Sequence, residues 1–407
     1  MTSRRLHPAW GMSRRWFVRT AVVVFILLIL AAAVWLVPWL MTLRSGLDVS
    51  ARFKAMADIR TGVVAALVML GAGGSLFYTE QTFRMNQSAN LTHRFESAAK
   101  QIGTNDVTVR IAGIYAMAQL ADRWREMRQA CIDVLCAYLR TNDDTPQSGR
   151  ANLAALALIY EHLRPNRKVS WVGCDFDLTG VILNDADFSE VRFVDGRFSF
   201  DEARLRGAVK FDNARFAADT VSFRNAVFER DCDVTFDDAH FVSGSVNFDE
   251  VRLAGGRLSF DRATFDACRV SFSLARLGEH GSLSIEHATV AGQGLGFAKT
   301  IFRGEGSVSF ADTTFTKPVS FDDAVFDRDV SFKETTLTRT TLSFRQSQFI
   351  SGTLSFAAAR NEGSILVFDA GTKSAGGKID VNGVHDGPLL LSGPEPPGLI
   401  LGSVSRV

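Results

Sequence analysis

Cysteine, tyrosine and recognisable catalytic motifs are scarce in this chain. Its 407 residues include only five Cys, at positions 131, 136, 174, 232 and 268. The number is odd and no Cys-x-x-Cys occurs, which argues against a disulfide framework and a Cys-based zinc site. Free thiols in a reducing compartment are the simplest reading. The seven His, at 7, 93, 162, 240, 280, 287 and 385, form no His-Glu-x-x-His helix, and no Gly-x-Ser-x-Gly elbow is present. The GQGLG at 292–296 lacks the third glycine of a dinucleotide fingerprint, and GTKSAGGK near 371 lacks the phosphate-loop spacing. No catalytic residue, cofactor-binding residue or metal ligand is therefore assigned, and no cofactor is expected. Tyr is held to 4 while Phe reaches 32, so the fold demands benzyl rings without hydroxyls.

Net charge is also missing: 45 Lys+Arg face 44 Asp+Glu, a balance of +1. The total hides an asymmetry, about +10 over residues 1–170, about −7 over 171–360 and about −2 beyond. With 46% hydrophobic residues, global disorder is excluded. Two polar clusters suggest a site. Glu279, His280, Glu286 and His287 in GEHGSLSIEH could approach a metal or form an acid–base pair, and solvated loop polarity is the favoured alternative. Asp231, Asp233, Asp237 and Asp238 in DCDVTFDDAH could bind calcium, but corner hydrogen bonding outweighs that.

Two long uncharged runs stand near the N-terminus. The first, between Arg19 and Arg44, contains AVVVFILLILAAAVWLVPWL and can cross a hydrocarbon layer of roughly 30 Å as a helix. The second, between Arg60 and Glu80, is 19 residues long with Gly71 and Gly74 on one helix face for close helix approach. The expected order is a basic cytoplasmic tail (1–20), transmembrane helix 1 (21–43) and transmembrane helix 2 (61–79). Basic residues favour both ends in the cytoplasm of a multi-pass plasma-membrane protein: Arg4, Arg5, Arg14, Arg15 and Arg19 before the first run, and Arg84, Arg94 and Lys100 after the second. A helical connector follows over 90–165, as four short amphipathic helices. A cap is expected at Asn105 or Asp106, with one stripe carrying Val107, Ile111, Ile114, Tyr115, Ala118 and Leu120.

From about 171 to 361 the chain is one pattern. A bulky residue recurs at Phe200, Phe211, Phe223, Phe236, Phe248, Phe260, Phe272, Ile285, Phe297, Phe310, Phe321, Phe332, Phe344 and Phe356. A second apolar residue follows each by five, from Leu205 and Phe216 to Phe349; Asn361 alone breaks the rule. Small residues such as Ala203, Ala214 and Ala263 stand two places earlier. An apolar residue every five, with a small one two before it, defines sides whose positions i−2 and i point inward, and stacking lets each coil bury what its neighbour cannot. About eight coils and a rod of roughly 40 Å follow at about 4.8 Å per coil. Steps from a second to the next first bulky residue are 6, 7 or 8, so extra residues must bulge at alternate corners. A corner loop at Glu279 is expected to accept an insertion, and Asp261, next to inward Phe260, is expected to face outward. An antiparallel sandwich would not demand a fixed five-residue spacing.

The stretches NDADFSEVRF (184–193), FDNARF and FDDAVF resemble the pentapeptide-repeat family, whose unit is A(D/N)LXX. The resemblance implies a right-handed quadrilateral parallel β-helix, here preceded by two transmembrane helices and the connector. VRIAGIYAMAQLA also resembles the connector of membrane-anchored actinobacterial members. Residues 362–407 are expected to be an irregular cap and a Pro/Gly-rich tail. The functional expectation is a non-enzymatic, membrane-anchored scaffold whose partners are the lipid bilayer and a protein of unknown identity. No nucleic-acid contact is expected, and a homo-oligomer is left open. Two alternatives are weighed: a DNA mimic that protects a topoisomerase, disfavoured by the weak acidity and outward Arg204, Arg215 and Arg252, and a carbohydrate-active β-helix enzyme, disfavoured by acids spread round the coils.

Overall fold

A computed structural model describes residues 25, 29–32, 34–36, 38–40, 49–141, 146–387, 390–392, 400–401 and 405–406. The chain divides into two compact units, Met1–Asn90 and Leu91–Val407. The basic tail and most of the first expected span lie outside the described residues.

The second apolar run does not stand alone as a short span. It lies inside helix α1, Val49–Ile102, which also absorbs the expected loop before it and the first connector helix after it. No proline interrupts these positions, and no glycine stands between Gly74 and Gly103, so nothing breaks the helix there. Within it, Phe53–Phe83 has a mean hydropathy of 1.6 and none of it is buried. Val68, Met69, Leu70, Leu76, Phe77 and Phe83 are all exposed. Among the described residues this is the one helix long and apolar enough to cross a membrane; Ile29–Leu40 is a shorter apolar helix. The guanidinium of Arg60 lies 4.6 Å from the centre of the Trp35 ring. The expected close approach at Gly71 and Gly74 is not seen, since nothing described lies within 4 Å of a Cβ placed on either.

The second unit begins with the end of α1 and three further helices: α2 (Val107–Arg123), α3 (Arg128–Arg140) and α4 (Pro146–Leu163). Asp106, one of the two candidate caps, accepts from the Thr108 and Val109 N–H groups at 2.8 and 3.2 Å. Ile114, Met117, Leu120, Ile132, Leu135, Leu156 and Ile159 form the shared core, while Tyr115 is exposed and leaves the expected stripe. Gly113 sets the distance between α2 and the end of α1: an added Cβ would stand 2.8 Å from the Ile102 nitrogen.

The repeat forms four parallel sheets of 11, 9, 8 and 9 strands, about nine turns of a β-solenoid. The chain visits them in a fixed order within each coil. Arg197–Ser199 lies in sheet I, Arg204–Arg206 in sheet II, Ala208–Lys210 in sheet III and Arg215–Ala217 in sheet IV, and Thr220–Ser222 returns to sheet I. Register is strict: Val209 pairs with Val234, Val234 with Leu258 and Leu258 with Leu283. The inward places are those the spacing predicts. Ala203, Leu205, Val209, Phe211, Ala214 and Phe216 are all buried.

Two facing ladders of rings run up the core. Phe200, Phe223, Phe248 and Phe272 stack at 4.8–4.9 Å in one. Phe188, Phe211, Phe236 and Phe260 stack at 4.6–4.8 Å in the other. Rings of opposite ladders meet edge to face, as Phe248 and Phe260 do at 5.5 Å and 85°. Both arrangements suit the aromatic quadrupole. A tyrosine hydroxyl here would be buried among apolar rings without a hydrogen-bond partner, which accounts for the bias toward Phe. Later coils put Thr or Ser where earlier ones have Ala, and the hydroxyls at these places donate to carbonyls: Thr300 to Phe272, Ser347 to Phe321 and Thr372 to Phe344, at 2.8–3.0 Å.

Regular pairing passes residue 361, contrary to the expected irregular cap. Ile365–Val367 pairs with Thr341–Ser343, Lys378–Asp380 with Thr353–Ser355 and Leu390–Ser392 with Ile365–Val367. Leu366, Phe368, Ile379 and Val381 supply the core of this coil without the Phe spacing. Asn361 keeps its inward place because its side chain accepts from the Ser364 N–H at 2.9 Å. Residues 393–399, within the expected loose tail, lie outside the described set.

Candidate interaction surfaces

Each Phe of the ladders is followed by a tight turn. Ala203 donates its N–H to the Phe200 carbonyl at 3.1 Å and Glu202 has φ +57°, the left-handed third residue of a type II turn. The same conformation recurs at Asn213, Asn225, Asp238, Glu250 and Arg262. These strict turns join sheet I to II and III to IV. The remaining corners, II to III and IV to I, hold the extra residues, so small loops run along two edges of the solenoid. Arg230–Asp231 and Glu279–His280 are exposed turn tips on the II–III edge.

The residue after the Phe is not simply outward. Asp261 is only 8% exposed, because its carboxylate accepts from the Ser284 hydroxyl at 2.5 Å, the Glu286 N–H at 3.1 Å and the Arg257 guanidinium at 2.6 Å. The pattern repeats one coil earlier, where Asp237 accepts from the Ser259 hydroxyl at 2.6 Å and the Asp261 N–H at 3.1 Å. Asp249 and Asp322 do the same with Ser271 and Ser343. Aspartate–serine bonds of this kind therefore tie several of the coils to the next. No sequence period announces them beyond the recurring Ser-Phe-Asp triplet.

Burial, together with the neighbouring Asp261 and Asp212 charges, lifts the Asp237 carboxyl above its ordinary 3.8. A raised carboxyl favours the folded state below about pH 4 and opposes it as pH rises toward neutrality, because the unfolded chain ionises first. Asp237→Asn keeps an acceptor oxygen and removes the repulsion. At neutral pH it is expected to hold the melting midpoint or raise it by up to about 2 °C, and a clear drop would show that the charged form of the hydrogen bond matters more.

Arg328 makes a second kind of tie. It is 6% exposed, and its guanidinium donates to the Gly281 carbonyl at 2.7 Å, the Gly278 carbonyl at 2.9 Å and the Arg303 carbonyl. One side chain thus binds the II–III corners of three successive coils. Burial without a carboxylate contact pushes its pKa down. Replacing it by Met leaves those carbonyls without their donors and should cost about 1–3 kcal/mol; an unchanged melting midpoint of Arg328→Met would refute the tie.

Two grooves of about 680 Å³ each, sharing Glu286, Ser307 and Ser309, extend along the outer face of sheet III beside these corners. The shared floor is hydroxyl-rich, with Ser284 and Ser331 continuing it, and Arg257 and Glu286 add charges of both signs. Of the polar clusters read from sequence, Glu279 and His280 sit at one corner and Glu286 and His287 at the next turn, where the His287 ring is 3.8 Å from Asp312. Asp231 and Asp233 lie at a corner, whereas Asp238 pairs with Arg262 at 2.9 Å. No group of three or more His, Cys, Asp or Glu able to hold a metal occurs among the described residues. The cysteines are unsuited to nucleophilic work: burial pushes Cys131 and Cys268 up to about 11 and Cys136 and Cys232 up to about 12.

The helical connector closes the first coil, a role its stripe pattern did not reveal. The Tyr160 ring stands edge-on to Phe188 at 4.2 Å. Gln129 bonds both the N–H and the carbonyl of Asp175. Arg140 pairs with Asp177, and Arg164 with Asp187 at 3.6 Å. Against the opposing effect of desolvation, hydrogen bonds from Thr179 and the charge of Arg140 hold the Asp177 carboxyl below its usual range. Trp171 is fully buried, stacks on His162 at 4.0 Å and donates to Asp122 at 2.9 Å.

Comparison with known proteins matches one family model, described as pentapeptide repeats (9 copies), over residues 200–244. No curated protein matches the chain. No solved structure matches it either. The matched coils, the inward i−2 and i places and the four parallel sheets agree, and the solenoid of this chain carries pentapeptide repeats.

Proposed function

We propose that this protein is a non-enzymatic scaffold, tethered to the plasma membrane by N-terminal helices, that presents its right-handed solenoid to the cytoplasm as a docking surface for another protein. The observation that carries the reading is the pairing of a rigid, cross-tied solenoid with an apolar helix, Phe53–Phe83, none of which is buried. Apolar surface on that scale needs lipid or a partner. The grooved face of sheet III is the preferred docking surface, because its bulging corners and hydroxyl floor offer hydrogen bonds at a fixed spacing. Two spans with both termini inside, as in the membrane-anchored actinobacterial type, fit the distribution of basic residues.

A photo-crosslinking side chain at Ser284, on the groove floor, is expected to capture a discrete partner from intact cells, and one at Thr314, on sheet IV, is not. Equal capture from both positions would remove the face assignment. A reporter fused after Val407 should be active only in the cytoplasm; activity outside would overturn the orientation.

A further inference from the structure

The seam between the end of α1 and α2 holds a pocket of about 210 Å³ that the scaffold reading does not use. Its polar lining is His93, Arg94, Ser97, Gln101, Gln119 and Arg123, and no carboxylate is among these. Three other arginines of this region have carboxylate partners, Arg140 with Asp177, Arg164 with Asp187 and Arg167 with Glu161, and Arg110 and Arg128 donate to backbone carbonyls. Neither Arg94 nor Arg123 has an ion-pair partner among the described residues. Arg94 and Arg123 are both exposed and both line this one pocket, so an anion entering it would meet two positive charges and no negative one. Gly113 holds α2 against the backbone of α1 at a distance that an added Cβ would violate, which fixes the spacing of the two helices.

We propose that this pocket binds a single phosphate group. The guanidinium fork presents paired donors that match phosphate oxygens, and the Gln101 and Gln119 amides, the Ser97 hydroxyl and the His93 ring can supply further donors. The size suits one phosphate and a small part of its carrier and is below the range of drug-sized ligand pockets, roughly 300–1,000 Å³. The carrier is an anionic lipid headgroup or a free phosphate. His93 follows the end of the apolar stretch at Phe83 by ten residues, which favours the lipid. Only this choice of carrier rests on the membrane reading; the binding chemistry does not.

The test uses the full chain in neutral detergent, titrated calorimetrically with inorganic phosphate, and the same protein bound to vesicles of phosphatidylcholine with or without phosphatidic acid. Saturable binding of at least one phosphate probe is expected. Replacing Arg94 and Arg123 by Gln should weaken it by about tenfold per arginine. Lys100→Gln, an exposed change on the same helix, should leave it intact. Far-ultraviolet circular dichroism establishes that the variants fold; if the double variant does not, Arg94→Gln alone carries the comparison. Binding of phosphate in detergent supports the pocket whether or not the chain spans a membrane, and a response to phosphatidic acid alone identifies the lipid as carrier. The proposal is overturned if neither probe binds saturably, or if the arginine variants bind as tightly as the parent.

Discussion

Phe260→Asp is expected to abolish cooperative unfolding of the solenoid. The ring is fully buried, stacks on Phe236 at 4.8 Å and meets Phe248 and Phe272 edge to face. Losing such a ring costs about 3–5 kcal/mol, and a buried carboxylate without a partner adds several more. Domain stabilities are about 5–15 kcal/mol, so the coils around Phe260 should open and become protease-sensitive. Asp261→Asn provides the contrast. It keeps an acceptor for Ser284 and Glu286 and loses the charge facing Arg257, an effect of about 1 kcal/mol. Thermal unfolding and limited proteolysis of the full chain in detergent separate the two; equal midpoints would mean that the inward register is misassigned.

A two-residue Gly-Ser insertion should have opposite consequences at two corners. After Asp322 it falls within the strict five from Phe321 to Phe326. There Asp322 accepts from the Ser343 hydroxyl at 2.5 Å and from the Arg345 N–H at 3.0 Å, and Ala324 and Phe326 are buried. The insertion moves those residues out of their ladders and strips the next coil of its donors' partner, so the cooperative transition should be lost. After Arg230 it enters an exposed turn tip on the II–III edge, where loop length costs only about 0.6 kcal/mol per doubling. Glu279, which the spacing alone marks as equally permissive, is less so: its carbonyl accepts from the Glu305 N–H at 2.6 Å and the Gly306 N–H at 3.2 Å. An insertion there should lower the midpoint by an intermediate amount. Equal losses at Arg230 and Asp322 would remove the distinction between strict and elastic corners.

Glu279 illustrates where sequence reading stops. The spacing from Leu277 to Ile285 reveals extra residues, but not that the next coil's corner hydrogen-bonds to them or that Arg328, two coils on, reaches back to the Gly278 and Gly281 carbonyls. Those contacts join residues about 25 and 50 positions apart, and no local period encodes them. Asp261 fails for a related reason. Alternation along a strand predicts an outward side chain, but the turn that follows Phe260 folds the carboxylate back over the neighbouring coil. The pocket at Arg94 and Arg123 was equally hidden, because its lining comes from two helices brought together at Gly113.

The sequence by itself determined the inward places of the solenoid, the elastic corners and the apolar helix. Each of these follows from residue spacing and from the cost of exposing apolar side chains to water, both properties of a short stretch of chain. Tertiary structure decided the rest: the helical cap on the first coil, the coil beyond residue 361, the aspartate–serine lattice and the buried Arg328. A polar side chain is stable in such places only when its partner is present. That partner stands a coil or a helix away, at a distance that stacking fixes.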